Sequence, residues 1–315
     1  MDTKKRLTLV IFGCLAFVGI TASLKVNTER NRTVTKPAVL DTKIEPLATD
    51  PSFVEGVGKI PAVPKKPLPL IAGLTAKAYL VGNVKTGKIY IEQNSSRAMP
   101  VASMSKLVTA FVATDMMGPT TTIIIASSTL SAPPDTSNLL AGEHFALEEI
   151  LKPLLLSSSN VAAEAISLTG GNRSNFLEMM SSYAWEIGMP KSFFADPSGV
   201  SPQNIASALD LFELAKYLMF HRPDILAVTR TVETTVATTT EHGGHLVTST
   251  HPFVKDPRFV GGKTGRTMEA GETMMTILTM DNQPIVFIIL GSSYGAREED
   301  TRILIREFEK KTATQ

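Results

Sequence analysis

Apolar and polar positions begin to alternate near residue 78. AYLVGNV and KIYIE alternate around a break containing Asn83 and Gly87, which predicts a β-hairpin with Gly87 at positive φ. Near the other end, the apolar runs ETMMTILTM and PIVFIILG are separated by Asp281-Asn282-Gln283, which predicts a second antiparallel pair. Segments rich in Thr and Val on both sides of EHGGH predict further strands around a turn.

Helical periodicity dominates the middle of the chain. The stop signals are Gly-Pro or Gly-Gly pairs, and Ser207 with Asp210 three positions later predicts the capped start of one helix. The predicted helices are one from about residue 103 to Gly118-Pro119, one containing Pro153, one ending at Gly170-Gly171, most of residues 172–230, and a closing amphipathic helix from about Glu299.

The first 72 residues follow neither pattern. Basic residues at positions 4–6 precede a mostly apolar run over residues 7–24, which is typical of a signal peptide or an N-terminal membrane anchor. The run is intermediate in length between a signal and a membrane span, so both interpretations stay open. Frequent prolines in residues 25–72 predict a linker. Residues 73–315 are then expected to form the functional domain outside the cytoplasm.

Composition narrows the chemistry of that domain. The chain has 315 residues, 43% of them hydrophobic, and a formal net charge of +1, so no general attraction for nucleic acid is expected. Its single cysteine, Cys14, lies in the N-terminal apolar run, which leaves the domain without a thiol or a disulfide. His242 and His245 flank a predicted hairpin tip. We therefore expect neither a metal nor another cofactor, and a small neutral or zwitterionic substrate.

Ser103 and Lys106 form the only Ser-x-x-Lys in the chain. They lie three positions apart at the start of a predicted helix and share one face of it. A serine hydroxyl becomes a good nucleophile when a neighbouring base removes its proton, and a lysine is such a base when its amine is neutral. Desolvation and a nearby cation both lower a lysine pKa. The pair is a candidate nucleophile and base, and a capping serine beside a surface lysine is the alternative.

Two further motifs follow in the chain. Ser158-Ser159-Asn160 is the only Ser-x-Asn, and taken alone it is explained by helix capping. Lys-Thr-Gly occurs twice, at residues 85–87 inside the predicted hairpin turn and at residues 263–265 on a predicted strand. The glycines around the second copy let a substrate backbone come close to the strand.

The order Ser-x-x-Lys, Ser-x-Asn, Lys-Thr-Gly is shared by penicillin-binding proteins and class A β-lactamases. From residue 78 to the final helix, the chain resembles the D-alanyl-D-alanine carboxypeptidase family of low-molecular-mass penicillin-binding proteins, serine peptidases of peptidoglycan. The resemblance extends to PVASMSK, LLLSSSNVAAEA, FADPSGVSPQN and GGKTGRTMEAG. It implies an α+β, β-lactamase/transpeptidase-like fold, with a five-stranded antiparallel sheet flanked by helices, a mainly helical subdomain, and the active site between them.

The resemblance also implies a role for each motif residue. Ser103 would attack the carbonyl of the penultimate D-alanine in stem peptides ending in D-Ala-D-Ala, with Lys106 as its base. Ser158 would pass a proton to the leaving amine, and Asn160 would hold the substrate amide. Lys263 would bind the terminal carboxylate.

Substrate binding would extend along the rest of the third motif. Thr264 would share the carboxylate with Lys263, and Gly265 lets the strand approach the substrate closely. The main-chain N–H groups of Ser103 and Arg266 would form an oxyanion hole, in which one donor is typically worth about 2.7 to 4 kcal/mol. β-Lactams are expected to acylate the same serine as covalent inhibitors.

Departures from the family pattern leave alternatives open. Ser159 stands where glycine is common and Val161 where aspartate is common, which is the one hint of a non-catalytic penicillin-sensing or wall-binding protein. The stretch LGSSYG has no arginine until Arg297, which leaves D,D-endopeptidase activity on cross-links open. A class A β-lactamase needs Glu-x-x-Leu-Asn to activate the deacylating water, and that sequence does not occur between Asn160 and Lys263.

Overall fold

The structure is a computed structural model, described here for residues 71–133 and 135–313. The signal, anchor and nearly all of the linker predictions lie outside these residues. Among the described helices, none has both the length and the apolar character that crossing a membrane requires.

The elements follow one another in an α+β order, with strands near both ends of the domain and most of the helices between them. In chain order they are β1 (Ala78–Asn83), β2 (Ile89–Gln93), β3 (Met99–Pro100), α1 (Ser105–Met116), β4 (Thr122–Ile124), β5 (His144–Ala146), α2 (Leu147–Leu155), α3 (Asn160–Thr169), α4 (Arg173–Glu186), β6 (Ile205–Ala206), α5 (Ala208–His221), α6 (Pro223–Thr229), β7 (Glu233–Val236), β8 (His245–Thr248), β9 (Phe259–Thr267), β10 (Gly271–Met280), β11 (Gln283–Ser292) and α7 (Arg297–Ala313). Short 3₁₀ turns precede α1 at Ala102–Met104 and lie between β4 and β5 at Ser127–Ser131.

The main sheet has five strands in the order β2-β1-β11-β10-β9, and every pairing in it is antiparallel. This confirms the expected five-stranded antiparallel sheet. Strands from the two ends of the domain are neighbours inside this sheet, because β1 pairs with β11.

Both predicted tight pairs are present. In the β1–β2 turn, the Asn83 side-chain oxygen accepts hydrogen bonds from the main-chain N–H groups of Lys85 and Thr86 at 2.8 and 2.9 Å, and Gly87 has φ +75°. The first Lys-Thr-Gly is therefore a hairpin turn, as predicted. Strands β10 and β11 are joined at Asp281 and Asn282, which both have positive φ.

The sheet is covered on both faces, which explains why β10 and β11 are almost continuously apolar. Alternate side chains of a strand point to opposite faces. One face joins the large helical core, and its members include Leu80, Met275, Ile277, Val286 and Ile288. The other face packs against α7 in a second cluster that includes Tyr79, Val81, Met274, Phe287, Ile289, Leu304 and Phe308.

The helices largely follow their sequence signals, with small shifts at their ends. Ser207 caps α5, and Asp210 completes the capping box. The closing helix begins at Arg297, two residues before the predicted start, with Glu298, Glu299 and Asp300 in its first turn, where acidic residues favour the helix dipole.

Candidate active site

Ser103 lies in the 3₁₀ turn that leads into α1, rather than in the α-helix itself. The preceding residue, Ala102, has φ +50°, an unusual conformation for a residue with a side chain. The backbone of Gly199 passes directly against this turn, and a Cβ atom on Gly199 would lie 2.0 Å from the Ala102 carbonyl oxygen. Only glycine fits there, so the loop containing Gly199 supports the turn that presents Ser103.

Lys106 lies one turn further along, and its side chain is fully buried. Its Nζ donates hydrogen bonds to Ser103 Oγ at 3.0 Å, Asn160 Oδ1 at 2.9 Å and the Ser198 carbonyl oxygen at 2.6 Å. Burial lowers the pKa of Lys106 to about 7, although the negative charges of nearby carboxylates oppose that effect. A large share of the amine is therefore neutral near neutral pH and able to accept the Ser103 proton.

The second motif forms the turn between α2 and α3. Ser158 has φ +64°, and its Oγ accepts a hydrogen bond from Lys263 Nζ at 2.9 Å. Asn160 is the first residue of α3, and besides its contact with Lys106 it donates from Nδ2 to the Pro133 carbonyl oxygen at 3.0 Å. The capping interpretation of this motif is correct for Ser159, whose Oγ accepts from the main-chain N–H of Ala162 at 3.0 Å.

Lys263 lies on β9 with 1% of its surface exposed. Burial lowers its pKa well below the ordinary lysine value, and the charges of Lys106 and Arg297 lower it further. The neighbouring Thr264 is also buried, and its hydroxyl lies 3.1 Å from that of Thr250. Strand β9 carries no carboxylate that could pair with Lys263, so a bound anion would favour the protonated form of this amine.

The end of β9 runs close against the nucleophile turn. A Cβ atom on Gly265 would lie 2.9 Å from the main-chain nitrogen of Ser103 and 2.5 Å from Thr273 Oγ1. The Arg266 side chain points outward, and its guanidinium lies 5.0 Å from the centre of the Tyr294 ring. The structure thus brings Ser103, Lys106 and Asn160 into one hydrogen-bonded group beside the Ser158–Lys263 pair.

A loop with no assigned role in the sequence analysis positions the Lys106 amine. Asp196 Oδ1 accepts from the main-chain N–H groups of Ser198 and Gly199 at 2.7 and 2.6 Å, and its Oδ2 accepts from Ser201 N–H at 2.6 Å. This loop geometry places the Ser198 carbonyl on Lys106. The signal was present in Asp-Pro-Ser-Gly, because the side chain of a loop aspartate commonly accepts hydrogen bonds from the backbone that follows it.

Arg297, like Asp196, lies near the site although the sequence did not predict that position. Strand β11 carries no arginine, as expected, but the first residue of α7 returns to the site, where Arg297 Nη1 lies 3.4 Å from the Gly265 carbonyl oxygen. Its guanidinium is partly buried beside Glu272, and its charge lowers the pKa of Lys263. An arginine is therefore available beside the Lys-Thr-Gly strand after all.

The two histidines of the β7–β8 hairpin, His242 and His245, contact protein side chains. His245 Nε2 lies 2.9 Å from Glu143 Oε1, and the His242 ring stacks on Phe145 at 4.2 Å. Over residues 71–133 and 135–313, no group of three or more His, Cys, Asp or Glu side chains is arranged to hold a metal ion.

The sequence and the fold both have known relatives. A family model described as D-alanyl-D-alanine carboxypeptidase matches residues 64–294. A D-alanyl-D-alanine endopeptidase of Pseudomonas aeruginosa is 29% identical over 236 residues, which cover 72% of this chain and 74% of the relative. The D-alanyl-D-alanine endopeptidase of Haemophilus influenzae is 30% identical over 209 residues, which cover 64% of this chain and 70% of the relative.

Solved structures agree with the family match. Penicillin-binding protein D2 of Listeria monocytogenes, in its cefotaxime-bound form, superposes with a TM-score of 0.65 and 26% identity over 74% of this chain and 96% of its own. The D-alanyl-D-alanine carboxypeptidase of Mycobacterium tuberculosis has a TM-score of 0.70 at 20% identity, over 76% of this chain and 92% of its own. The family match includes all three motifs and most of the chain, and the chain therefore belongs to the D-alanyl-D-alanine carboxypeptidase family of serine peptidases.

Proposed function

We propose that the chain removes the terminal D-alanine from peptidoglycan stem peptides through an acyl-enzyme on Ser103. The observation that carries this proposal is the 3.0 Å hydrogen bond between Ser103 Oγ and the buried Lys106 amine, whose pKa is lowered to about 7. A serine hydroxyl beside a lysine that is largely neutral at neutral pH is an activated nucleophile.

The acylation step follows from this arrangement. Neutral Lys106 accepts the Ser103 proton while Oγ forms a bond to the carbonyl carbon of the penultimate D-alanine. The main-chain N–H groups of Ser103 and Arg266 stabilise the negative charge that develops on the carbonyl oxygen. The peptide C–N bond then breaks, the leaving amine takes a proton through Ser158, and water later hydrolyses the ester.

The anionic end of the substrate binds at the cationic side of the site. Lys263 and Thr264 meet the terminal carboxylate, and Arg297 adds a further positive charge near the end of β9. A bound carboxylate would stabilise the protonated form of Lys263, because an opposite charge favours the charged form of an amine. Asn160, which contacts the base Lys106, holds the substrate amide.

D,D-Endopeptidase cleavage of cross-links is the second candidate on the same site. The two curated relatives described above carry the name D-alanyl-D-alanine endopeptidase. A cross-link presents a D-alanyl amide whose leaving amine belongs to another peptide, so the bond chemistry at Ser103 is the same and only the leaving side differs.

Defined muropeptides distinguish the two activities. The purified protein is incubated with a monomeric stem peptide ending in D-Ala-D-Ala and, separately, with a cross-linked dimer, and the products are identified by mass. Loss of one alanine from the monomer supports the carboxypeptidase, and conversion of the dimer to monomers identifies the endopeptidase. Ser103→Ala is expected to abolish either reaction. Absence of both reactions with the native chain contradicts the proposal.

The same site should form a persistent adduct with β-lactams. The β-lactam ring resembles a D-alanyl-D-alanine end, and the chain lacks the Glu-x-x-Leu-Asn sequence of class A β-lactamases between Asn160 and Lys263. We expect intact-protein mass spectrometry to show one stable adduct, located on Ser103 by peptide mapping. Rapid multiple turnover of a chromogenic cephalosporin would identify a β-lactamase instead.

We further propose that residues 73–315 form the catalytic domain on the cell-wall side of the cytoplasmic membrane. The basic and apolar N-terminus, residues 1–24, would export the domain and either be cleaved or anchor it, with residues 25–72 as a linker. N-terminal sequencing of the native protein, with fractionation of membranes, separates cleavage from anchoring. Recovery of the uncleaved protein in the cytosol contradicts export.

A further inference from the structure

The second motif is held by a carboxylate that lies outside all three motifs. Asp135 lies in the loop before β5, and its Oδ2 accepts hydrogen bonds from Asn160 N–H at 2.6 Å, Val161 N–H at 3.2 Å and Ser159 Oγ at 2.9 Å. Its Oδ1 accepts from the main-chain N–H of Ser137 at 2.8 Å and from the Ser137 hydroxyl. One side chain thus joins this loop to the start of α3.

The Asp135 carboxyl is charged at neutral pH. Burial raises its pKa, but hydrogen bonds from Ser137, Val161 and Ser159 outweigh burial, and the net pKa lies below its usual range. The Ser137 and Ser159 hydroxyls also lie 2.9 Å from each other. The loop and the helix start are therefore linked by a charged network with several partners.

The backbone that this network holds is strained. A residue with a side chain at φ +64°, as in Ser158, costs on the order of 1–3 kcal/mol and persists only where its surroundings fix it. Asp135 bonds each of the three residues that follow Ser158. A small rotation of this turn would move Ser158 Oγ away from Lys263 and Asn160 Oδ1 away from Lys106, which lie at 2.9 Å in both cases.

Asp135 also acts electrostatically on the base. Three negative groups raise the pKa of Lys106: Asp196 in the loop after α4, Asp135 in the loop before β5, and Glu164 on α3. Burial is what opposes them, and on β9 the Lys106 charge in turn lowers the pKa of Lys263. Removing the Asp135 charge therefore favours neutral Lys106.

We propose that Asp135 is a positioning residue of the active site, which holds Ser158 against Lys263 and Asn160 against Lys106. This inference rests on the proposed function of Ser103 and Lys106, and it adds a residue that none of the three motifs contains. Asp135 itself touches neither the substrate nor the reacting atoms.

The test is the pH profile of Ser103 acylation by a fluorescent penicillin, measured on the full chain and on Asp135→Asn. The variant keeps the shape of the side chain but loses its charge. We expect the plateau rate to fall at least about tenfold, since a misplacement near 1 Å can cost on the order of 100-fold. We also expect the acidic limb to move to lower pH, because Lys106 loses a neighbouring negative charge.

Matched variants separate positioning from general stability. Asp224 is a carboxylate near the start of α6 that pairs with Arg222, away from the site, and Asp224→Asn should change neither the plateau nor the limb. Ser137→Ala removes one support of Asp135 but keeps the charge, so it should lower the plateau and leave the limb in place.

Each outcome decides the inference. A plateau equal to the native rate in Asp135→Asn overturns it, and so does a lower plateau with an unmoved limb, which would show a structural role alone. If Asp135→Asn does not fold, Ser137→Ala decides, and a native plateau in that variant overturns the inference. Failure of penicillin to label Ser103 in the native chain overturns the proposed function instead, and this inference with it.

Discussion

A lysine amine in water keeps its proton far above neutral pH, and Lys106 loses that property because protein surrounds it completely. Its three hydrogen-bond acceptors come from three different segments, carried by Ser103, Asn160 and Ser198. Burial outweighs the opposing carboxylates, so the pKa falls to about 7. Burial therefore makes Lys106 a base near neutral pH, and the neighbouring carboxylates adjust the fraction of the amine that is neutral.

The pH dependence of acylation follows from that pKa. Because the base works only when neutral, the rate of Ser103 acylation should rise as pH increases through about 7 and level off above it. A fluorescent penicillin added over a range of buffers measures the rate, with Ser103→Ala as the unlabelled control. A rate that keeps rising toward the pKa of an ordinary exposed lysine would contradict the assignment.

The two Lys-Thr-Gly copies offer a comparison between two lysines. Lys263→Gln should weaken binding of a peptide with a free carboxylate by about 10-fold to 100-fold, the size of a lost charged hydrogen bond. The loss should be much smaller for the matching C-terminal amide, which has no charge to lose. Lys85→Gln should change neither value, because Lys85 lies exposed in the β1–β2 turn. Greater damage from Lys85→Gln would mean that the site is misplaced.

The contact between β9 and the turn carrying Ser103 depends on the absence of a side chain. In Gly265→Ala the new Cβ would lie 2.9 Å from Ser103 N and 2.5 Å from Thr273 Oγ1, so strand and turn must separate. A displacement near 1 Å can lower the acylation rate by on the order of 100-fold. In Gly87→Ala the new Cβ meets no atom within 4 Å, and only its φ of +75° is strained.

These glycine variants are compared by acylation rate and by thermal unfolding. Gly87→Ala should lose about 1–2 kcal/mol of stability and keep the native acylation rate, since left-handed backbone costs that much for a residue with a side chain. Gly265→Ala should lose rate out of proportion to stability. Equal rates in the two variants would show that β9 does not need to approach the turn so closely.

The sequence predicted elements well where the signal was local. Hairpin, capping and stop signals each involve neighbouring residues, so the β1–β2 turn, the α5 cap and the end of α3 at Thr169 all follow from short stretches. The motif residues could be found because they occur in a known order. Asp135 and Arg297 could not be found, because they act on segments distant in sequence and carry no spacing of their own. Asp196 had a local signal in Asp-Pro-Ser-Gly, but its effect on Lys106 passes through Ser198, which is distant from Lys106 in sequence.

Hydrogen bonds between Thr75 and Asp300 join the first described residues of the domain to α7. Asp300 is 1% exposed, and its carboxylate accepts hydrogen bonds from the main-chain N–H and the hydroxyl of Thr75 at 2.9 and 2.7 Å. The Thr75 hydroxyl also accepts from Ser293 N–H at 3.0 Å. The first described segment is thereby joined both to α7 and to the end of β11.

Removing the Thr75 hydroxyl tests how much these hydrogen bonds contribute to the stability of the domain. Thr75→Ala leaves the buried Asp300 carboxylate short of a partner, which should lower the free energy of unfolding by about 1–3 kcal/mol. Thr86→Ala, in the exposed β1–β2 turn, is the control and should lower it by less than about 0.5 kcal/mol. Urea unfolding monitored by circular dichroism measures both. A Thr75→Ala midpoint equal to that of the control would show that the contact contributes nothing.

The pairing of β1 with β11 has a kinetic consequence. Thr75 and Asp300, which flank these two strands, lie 225 positions apart, and the sheet cannot close until both ends of the domain are available. Contacts of such high sequence separation fold slowly, and the waiting chain exposes unpaired strand edges. A newly synthesised molecule should therefore become reactive toward penicillin only after α7 has left the ribosome and packed against the sheet. The time course of penicillin labelling then measures when folding is complete.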